Sequence, residues 1–440
     1  MRPRNLLSLL AVLMLIGCTG TIDVPATASP TGSSAIRPTP PVTPTATAEP
    51  QPMIVTLRLW LPEELNPYGG RPGSVVLAQQ LADFSRAYPD LQVEVIVRKT
   101  HGRGGLLDFL RTARLAAPSV LPDLVVLDAA DLAAASGSDL VQPLDDLLSP
   151  AAAMDRFPFA IAMGQVQTRT MGLVLGVDTQ YLAYRTSLFD SPVDEPAIGA
   201  FNMISWTQVI SAPSQFVFPA AGVDRRVNDA TLIQYLGAGG QLADAEGKPQ
   251  IDRAVMLRVM KFYSECVDTG VISPALVLDL SAEGQAWELF KEGVGGLAVV
   301  PATRYWREAD ETMAFAPVPT QDRTPVSIVR GWTISMVSAS PSRQRLAVLL
   351  LDWLMAHDHN AEWSRASGYL PGTRGALQLW DVSSAERAMM FAILENARPL
   401  PQNEVTSLAG IAMQEGVVAF LSGRATPEEA AGIAVETLTR

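Results

Sequence analysis

The groups best suited to catalysis or metal binding are few in this 440-residue chain. There are three histidines, His101, His357 and His359, and two cysteines, Cys18 and Cys266. His357 and His359 stand two apart, which on a helix turns them to different faces. At the end of an apolar run they suit the negative terminus of a helix better than a metal. A His/Cys zinc site needs more ligands than this chain supplies. No Gly-x-Ser-x-Gly elbow is present. Asp145 and Asp146 have the chemistry of a carboxylate pair, but such neighbours more often cap a helix start. Nothing nearby supplies the partner that acid–base work requires. The run Gly237-Ala238-Gly239-Gly240 lacks the Lys-Ser/Thr of a phosphate loop and follows no strand, so it reads as a helix end. No metal, no cofactor and no enzymatic activity are therefore expected.

Binding chemistry is better represented. Trp60, Asp128, Tyr184, Arg304, Tyr305, Trp306, Arg330 and Trp332 combine aromatic faces with charged groups that form strong hydrogen bonds. Core packing is the alternative for each Trp and for Tyr184, because large aromatics are usually well buried. For Arg304 the alternative is a solvated charge. Trp206, Trp287, Trp353, Trp363 and Trp380 fall in helix-like runs and read as packing.

These candidates need elements to place them. Residues 54–60 alternate apolar and polar types with β-branched residues early, which is the period of a strand. A Pro- and Gly-rich loop over 62–73 leads to a helical pattern over 75–88, stopped by Pro89. A second strand spans 91–97, a helix-like run spans 106–115, and a third strand spans 124–128. Four consecutive apolar residues suit a third strand buried on both faces. Strands alternating with helices predict an α/β fold with a mostly parallel sheet. Such sheets bind ligands at the carboxyl ends of their strands, where Trp60 and Asp128 are expected. Further on, residues 296–300 read as a buried strand running into Arg304, Tyr305 and Trp306, and Arg330 and Trp332 lead into a strand over 333–337. Helical spacing recurs over 231–235, 256–267, 285–291, 344–356, 415–421 and 428–438.

The N-terminus has a different character. Arg2 and Arg4 precede an apolar run over 6–16, too short for the roughly 20 residues that span a bilayer. Its size and flanks fit a secretory signal. It ends in Leu15-Ile16-Gly17-Cys18, which resembles the lipobox of bacterial lipoproteins. That resemblance implies cleavage after residue 17 and a lipid on Cys18. Residues 18–52 are rich in Thr, Pro, Ala and Ser and form an expected tether, since they cannot bury a core. The folded part would work at the outer face of a membrane and not within it. With Cys18 lipidated, Cys266 alone cannot make an internal disulfide. The net charge of −12 argues against nucleic acid as a partner.

From residue 53 onward the chain resembles the extracellular solute-binding proteins of sugar-type ABC importers. Trp60, Tyr88-Pro89, Pro122-Asp123-Leu124-Val125 and Pro143-Leu144-Asp145 occur in the family's order. Met171-Gly172-Leu173-Val174, Gly331-Trp332-Thr333-Ile334-Ser335, Gly368-Tyr369-Leu370-Pro371 and Leu421-Ser422-Gly423-Arg424 continue it. The resemblance implies two α/β lobes of the class II periplasmic-binding-protein type, hinged by crossing strands. It places residues 53–173 and 330–375 in the first lobe, and 174–329 and 376–440 in the second. Crossings would fall at 169–176, near Val329 and near Arg374. It implies a monomer that captures a small polar solute, with a carbohydrate as the expected class, for a permease. A sugar offers flat C–H faces and a rim of hydroxyls, which suits the eight candidates as cleft residues. The sequence departs from the family at Gln167-Thr168, Leu175-Gly176 and Arg185, around the mouth of the expected cleft. A ligand-sensing or diverged binding module is the main alternative. A secreted glycan hydrolase is a further one, which would need a facing carboxylate pair.

Overall fold

A computed structural model describes residues 54–148, 155–188, 204–400 and 403–439. The leader, Cys18 and the tether lie outside the described residues. The strands are β1 (Val55–Pro62), β2 (Leu91–Arg98), β3 (Leu124–Asp128), β4 (Gln165–Val166), β5 (Arg169–Thr170) and β6 (Leu173–Asp178). They continue with β7 (Gln180–Arg185), β8 (Phe216–Val217), β9 (Leu297–Pro301), β10 (Met313–Pro317), β11 (Ser327–Met336) and β12 (Ala397–Pro399). The first sheet runs β12-β11-β3-β1-β2, with β6 also on β11. The second runs β10-β7-β9-β8, and β4 and β5 form a small hairpin.

β1, β2 and β3 are parallel, as strand–helix alternation predicts, but β11 lies antiparallel to β3 and to β6. The first sheet is therefore mixed. β3 is buried on both faces: Leu124 and Val126 join one apolar cluster, Val125 and Leu127 the opposite one. The first long helix, Pro72–Ala87, begins earlier than its apolar period because Pro72 fits an opening turn, where no N–H is needed. It ends before Pro89, as expected.

The chain passes from the first sheet to the second between Asp178 and Gln180. It returns ahead of Ser327 and leaves the first sheet again after Pro399. The last of these points lies well past Arg374, because β12 has three residues and carries too little pattern to read as a strand. The Thr179 hydroxyl donates to the Ile328 carbonyl at 2.8 Å, tying two crossings together. One core cluster carries Val174, Val177 and Val329 along with Tyr181, Val217 and Ala298 of the second sheet, so packing is continuous through the crossing.

Past β12 comes the Glu404–Leu421 helix, long and apolar enough by composition to cross a membrane. Its buried residues Ala409, Met413 and Val417 pack in the cluster that covers the second sheet, which accounts for that composition. Cys266 is a free thiol in the same cluster, and burial pushes it up to about 12, out of reach of thiolate chemistry.

Candidate functional site

The carboxyl end of β3 and the first half of β11 open onto a groove of two cavities, of about 360 and 370 Å³. The first is lined by Asp128, Ala130, Met163, Gln165 and Asn403, among others. The second is lined by Val223, Arg226, Asn228, Asp229, Thr406 and Gly410, among others. Arg330 and Leu400 line both, so the cavities are neighbours divided by the Arg330 side chain.

Local sequence explains how that divider is held. Asn228 caps the Asp229–Gly237 helix: its Oδ1 accepts from the Thr231 N–H at 2.9 Å. Asp229 then falls in the first turn, where free N–H groups favour a carboxylate. Arg330 Nη2 donates to Asp229 Oδ1 at 2.7 Å, and Nη1 reaches Oδ2, completing a bidentate fork. The Asp229 side chain is 5% exposed and that of Arg330 is 39% exposed. One end of the pair is therefore buried and the other stands in the groove. Gly331 follows Arg330 because β11 runs tight against β6 there: an added Cβ would lie 2.2 Å from the Gly176 carbonyl oxygen.

Asp128 closes β3 and caps the short turn after it, accepting from the Ala130 N–H at 2.9 Å. His101 sits between two carboxylates, with Nε2 3.3 Å from Asp128 and Nδ1 3.3 Å from Asp131. At the crossing, half-buried Asp178 accepts from the backbone N–H groups of Thr303 at 2.9 Å and Thr179 at 3.0 Å. The Thr303 hydroxyl donates to its other oxygen at 2.6 Å. Burial pushes the Asp178 carboxyl above the usual range despite these donations.

Of the eight sequence candidates, Asp128 and Arg330 line the groove. The other six stand elsewhere. Trp60 is fully buried and packs on Phe109 with ring centroids 5.1 Å apart. β1 runs two residues past it to Pro62, so Trp60 lies inside the strand and not at its end. Trp332 is likewise inside β11, paired with Asp128 and Gly176, and its ring joins a core with Trp363. Tyr184 pairs with Leu297, at the opposite end of β9 from the carboxyl terminus. Tyr305 and Trp306 lie on the Ala302–Glu308 helix, which turns both rings inward; Trp306 Nε1 donates to the Tyr181 hydroxyl at 3.2 Å. Among the described residues, no Trp, Tyr or Phe lines the two cavities. A third, smaller cavity of about 240 Å³ does carry Trp363 and Tyr369, with Arg307 and Glu64.

Arg304 belongs to a surface charge cluster. Its Nη1 lies 2.9 Å from Glu308, which also accepts from Lys291 at 2.6 Å and from Trp287 Nε1 at 2.9 Å. Burial favours the neutral acid, but the donors from Lys291, Trp287 and Arg304 win and hold Glu308 at about 2. A depressed carboxyl stabilises the fold above its unfolded value and loses that contribution as pH falls through the folded one. Stability is therefore expected to drop between about pH 4.5 and about pH 2. Glu308→Gln should flatten that limb, read as the urea midpoint against pH for both proteins.

Asn228, Asp229, Arg226 and Asn403 were not singled out from the sequence. Asn228-Asp229 ahead of an apolar run is a helix-start signature, so their place in the fold was legible, though not their place in a groove.

Comparison with known proteins fits this architecture. The model of the bacterial extracellular solute-binding proteins matches residues 79–390. The chain belongs to this family. No curated protein matches it. Solved structures of similar fold include the maltose-bound MalE3 of T. maritima, with TM-score 0.63 and 19% identity, over 87% of this chain and 99% of that one. The cyclic α-maltosyl-1,6-maltose binding protein of Arthrobacter globiformis gives TM-score 0.65 and 16% identity, over 88% and 98%. A solute-binding protein of Agrobacterium radiobacter K84 in complex with ribitol gives 0.58 and 20%, over 88% and 100%. This solute-binding protein thus has the two-lobed α/β fold of those structures, and its family is extracytoplasmic and made of binding proteins.

Proposed function

We propose that this protein is the solute receptor of an ABC importer and holds a small carbohydrate in the groove divided by Arg330. The observation that carries the reading is the groove itself. It opens where β3 ends against the first half of β11, and the Arg330–Asp229 fork joins the first sheet to the helix over the second. The similar structures carry maltose and ribitol, which sets polyhydroxylated solutes as the class to test. Asp128 and Arg330 are the contacts assigned to the solute from the sequence candidates. The lobes meet at Asp178–Gln180, and closure about that link would carry the two walls of the groove together. The receptor binds and releases without chemical change. Cys18 carries the lipid, residues 18–52 are the tether, and the membrane permease is the partner.

The test is a thermal-shift screen across sugars, polyols, amino acids and peptides. A bound solute at 100 times its Kd adds about 2.7 kcal/mol to the folded state and raises Tm accordingly. The largest shift is expected from a polyhydroxylated solute, and Arg330→Gln should abolish it. A screen in which only amino acids or peptides shift Tm would overturn the carbohydrate reading, and a screen with no shift would overturn the receptor reading.

A further inference from the structure

Among the described residues the groove has no aromatic platform for a sugar face but is rich in hydrogen-bond donors, Arg226, Asn228, Arg330, Asn403 and Thr406. Two helices begin at it. The nine-residue Asp229–Gly237 helix presents Asn228 and Asp229, and the 18-residue Glu404–Leu421 helix presents Asn403 and Thr406. Helix N-termini carry partial positive charge and favour anions. Arg226 lines the same cavity, half-buried, with Nη2 3.7 Å from the exposed Asp224. Asn228 supplies an independent sign of a missing partner. It is 2% exposed and its Oδ1 is used in the helix cap. Asn228 lines the cavity, and its buried Nδ2 donor has no hydrogen-bond partner among the described residues. A buried unpaired donor is costly, so an acceptor is called for. The two groove carboxylates do not offset this. Asp229 is taken up by Arg330, and Asp128 by the Ala130 N–H and His101.

Resting on the receptor reading above, we propose that the solute is an acidic carbohydrate, a polyhydroxylated carboxylate whose anionic end enters the cavity of Arg226, Asn228 and Thr406. Its hydroxyls then face Asp128 and Arg330. Arg226 acts as a specificity residue, since its guanidinium matches a carboxylate and gains less from a hydroxyl.

The test is titration calorimetry of the chain with hexuronates, their methyl esters, the parent neutral sugars and the hexose phosphates. The hexuronate is expected to bind at least about tenfold tighter than its ester, as loss of a charge-assisted pair implies. Its affinity should fall with added salt. Arg226→Gln should bring the acid down to the affinity of the ester, and Arg226→Lys should restore part of the difference. Unfolding midpoints of both variants confirm that they fold. Neutral sugars or esters binding as tightly as the acid would overturn the inference and leave the receptor reading standing. Phosphates binding in place of carboxylates would also overturn it. Silence from every solute would overturn both.

Discussion

Trp60→Ala is expected to cost about 3–5 kcal/mol of folding stability, the range for deleting a large buried aromatic. The indole is fully buried between β1 and the Leu106–Ala116 helix, where it meets Phe109, Leu110 and Val125. Its neighbours sit on the sheet and on a helix, so the cavity cannot collapse far. Binding of a solute by the folded fraction should be unchanged, because Trp60 lines neither cavity. Trp60→Phe, which keeps most of the volume, should lose far less. Urea unfolding measures the first effect and calorimetry of the folded protein the second. A large loss of affinity with little change in stability would instead make the indole a solute platform.

Arg330→Ala should be nearly as costly and should also abolish solute binding. Removing one partner of a buried pair leaves the other charge uncompensated, at about 3–5 kcal/mol. Asp229 is that charge here, with its side chain 5% exposed. Arg330 is partly open to water, so the lower end of the range applies, about 3 kcal/mol. Asp229→Asn moves in the same direction by less, since the amide keeps one acceptor for the fork. The decisive variant is the joint Arg330→Met, Asp229→Leu chain. It removes both charges and should recover most of the stability without recovering binding. A double-mutant cycle from denaturant midpoints gives the coupling. A joint variant as unstable as Arg330→Ala would place the cost in backbone packing around Gly331 and not in the ion pair.

Much of the first lobe was legible because its signals are local. The alternation in β1 and β2, the apolar run of β3 and the stop at Pro89 each depend on a few adjacent residues. The site was less legible. Asp128 and Arg330, which line the groove, stand out in the sequence by strand-end position and charge. Trp60, Trp332, Tyr305 and Trp306 were expected at the same place from strand-end position, aromatic chemistry and resemblance to the family. Their side chains face inward for reasons of register: β1 runs on to Pro62, and a helix starts at Ala302 where a strand end was expected. A shift of one or two residues in where an element ends decides which face a ring takes.

The sequence by itself determined the α/β class, the elements that open the chain, the kinship with solute-binding proteins and the small stock of catalytic groups. All of these follow from patterns between near neighbours or from composition. Tertiary structure alone decided which polar groups share a groove. Asp229 lies 101 residues from Arg330 along the chain, and Asp178 lies 125 from Thr303. Contacts of that span are set by how the sheets cross and pack, and no local period encodes them.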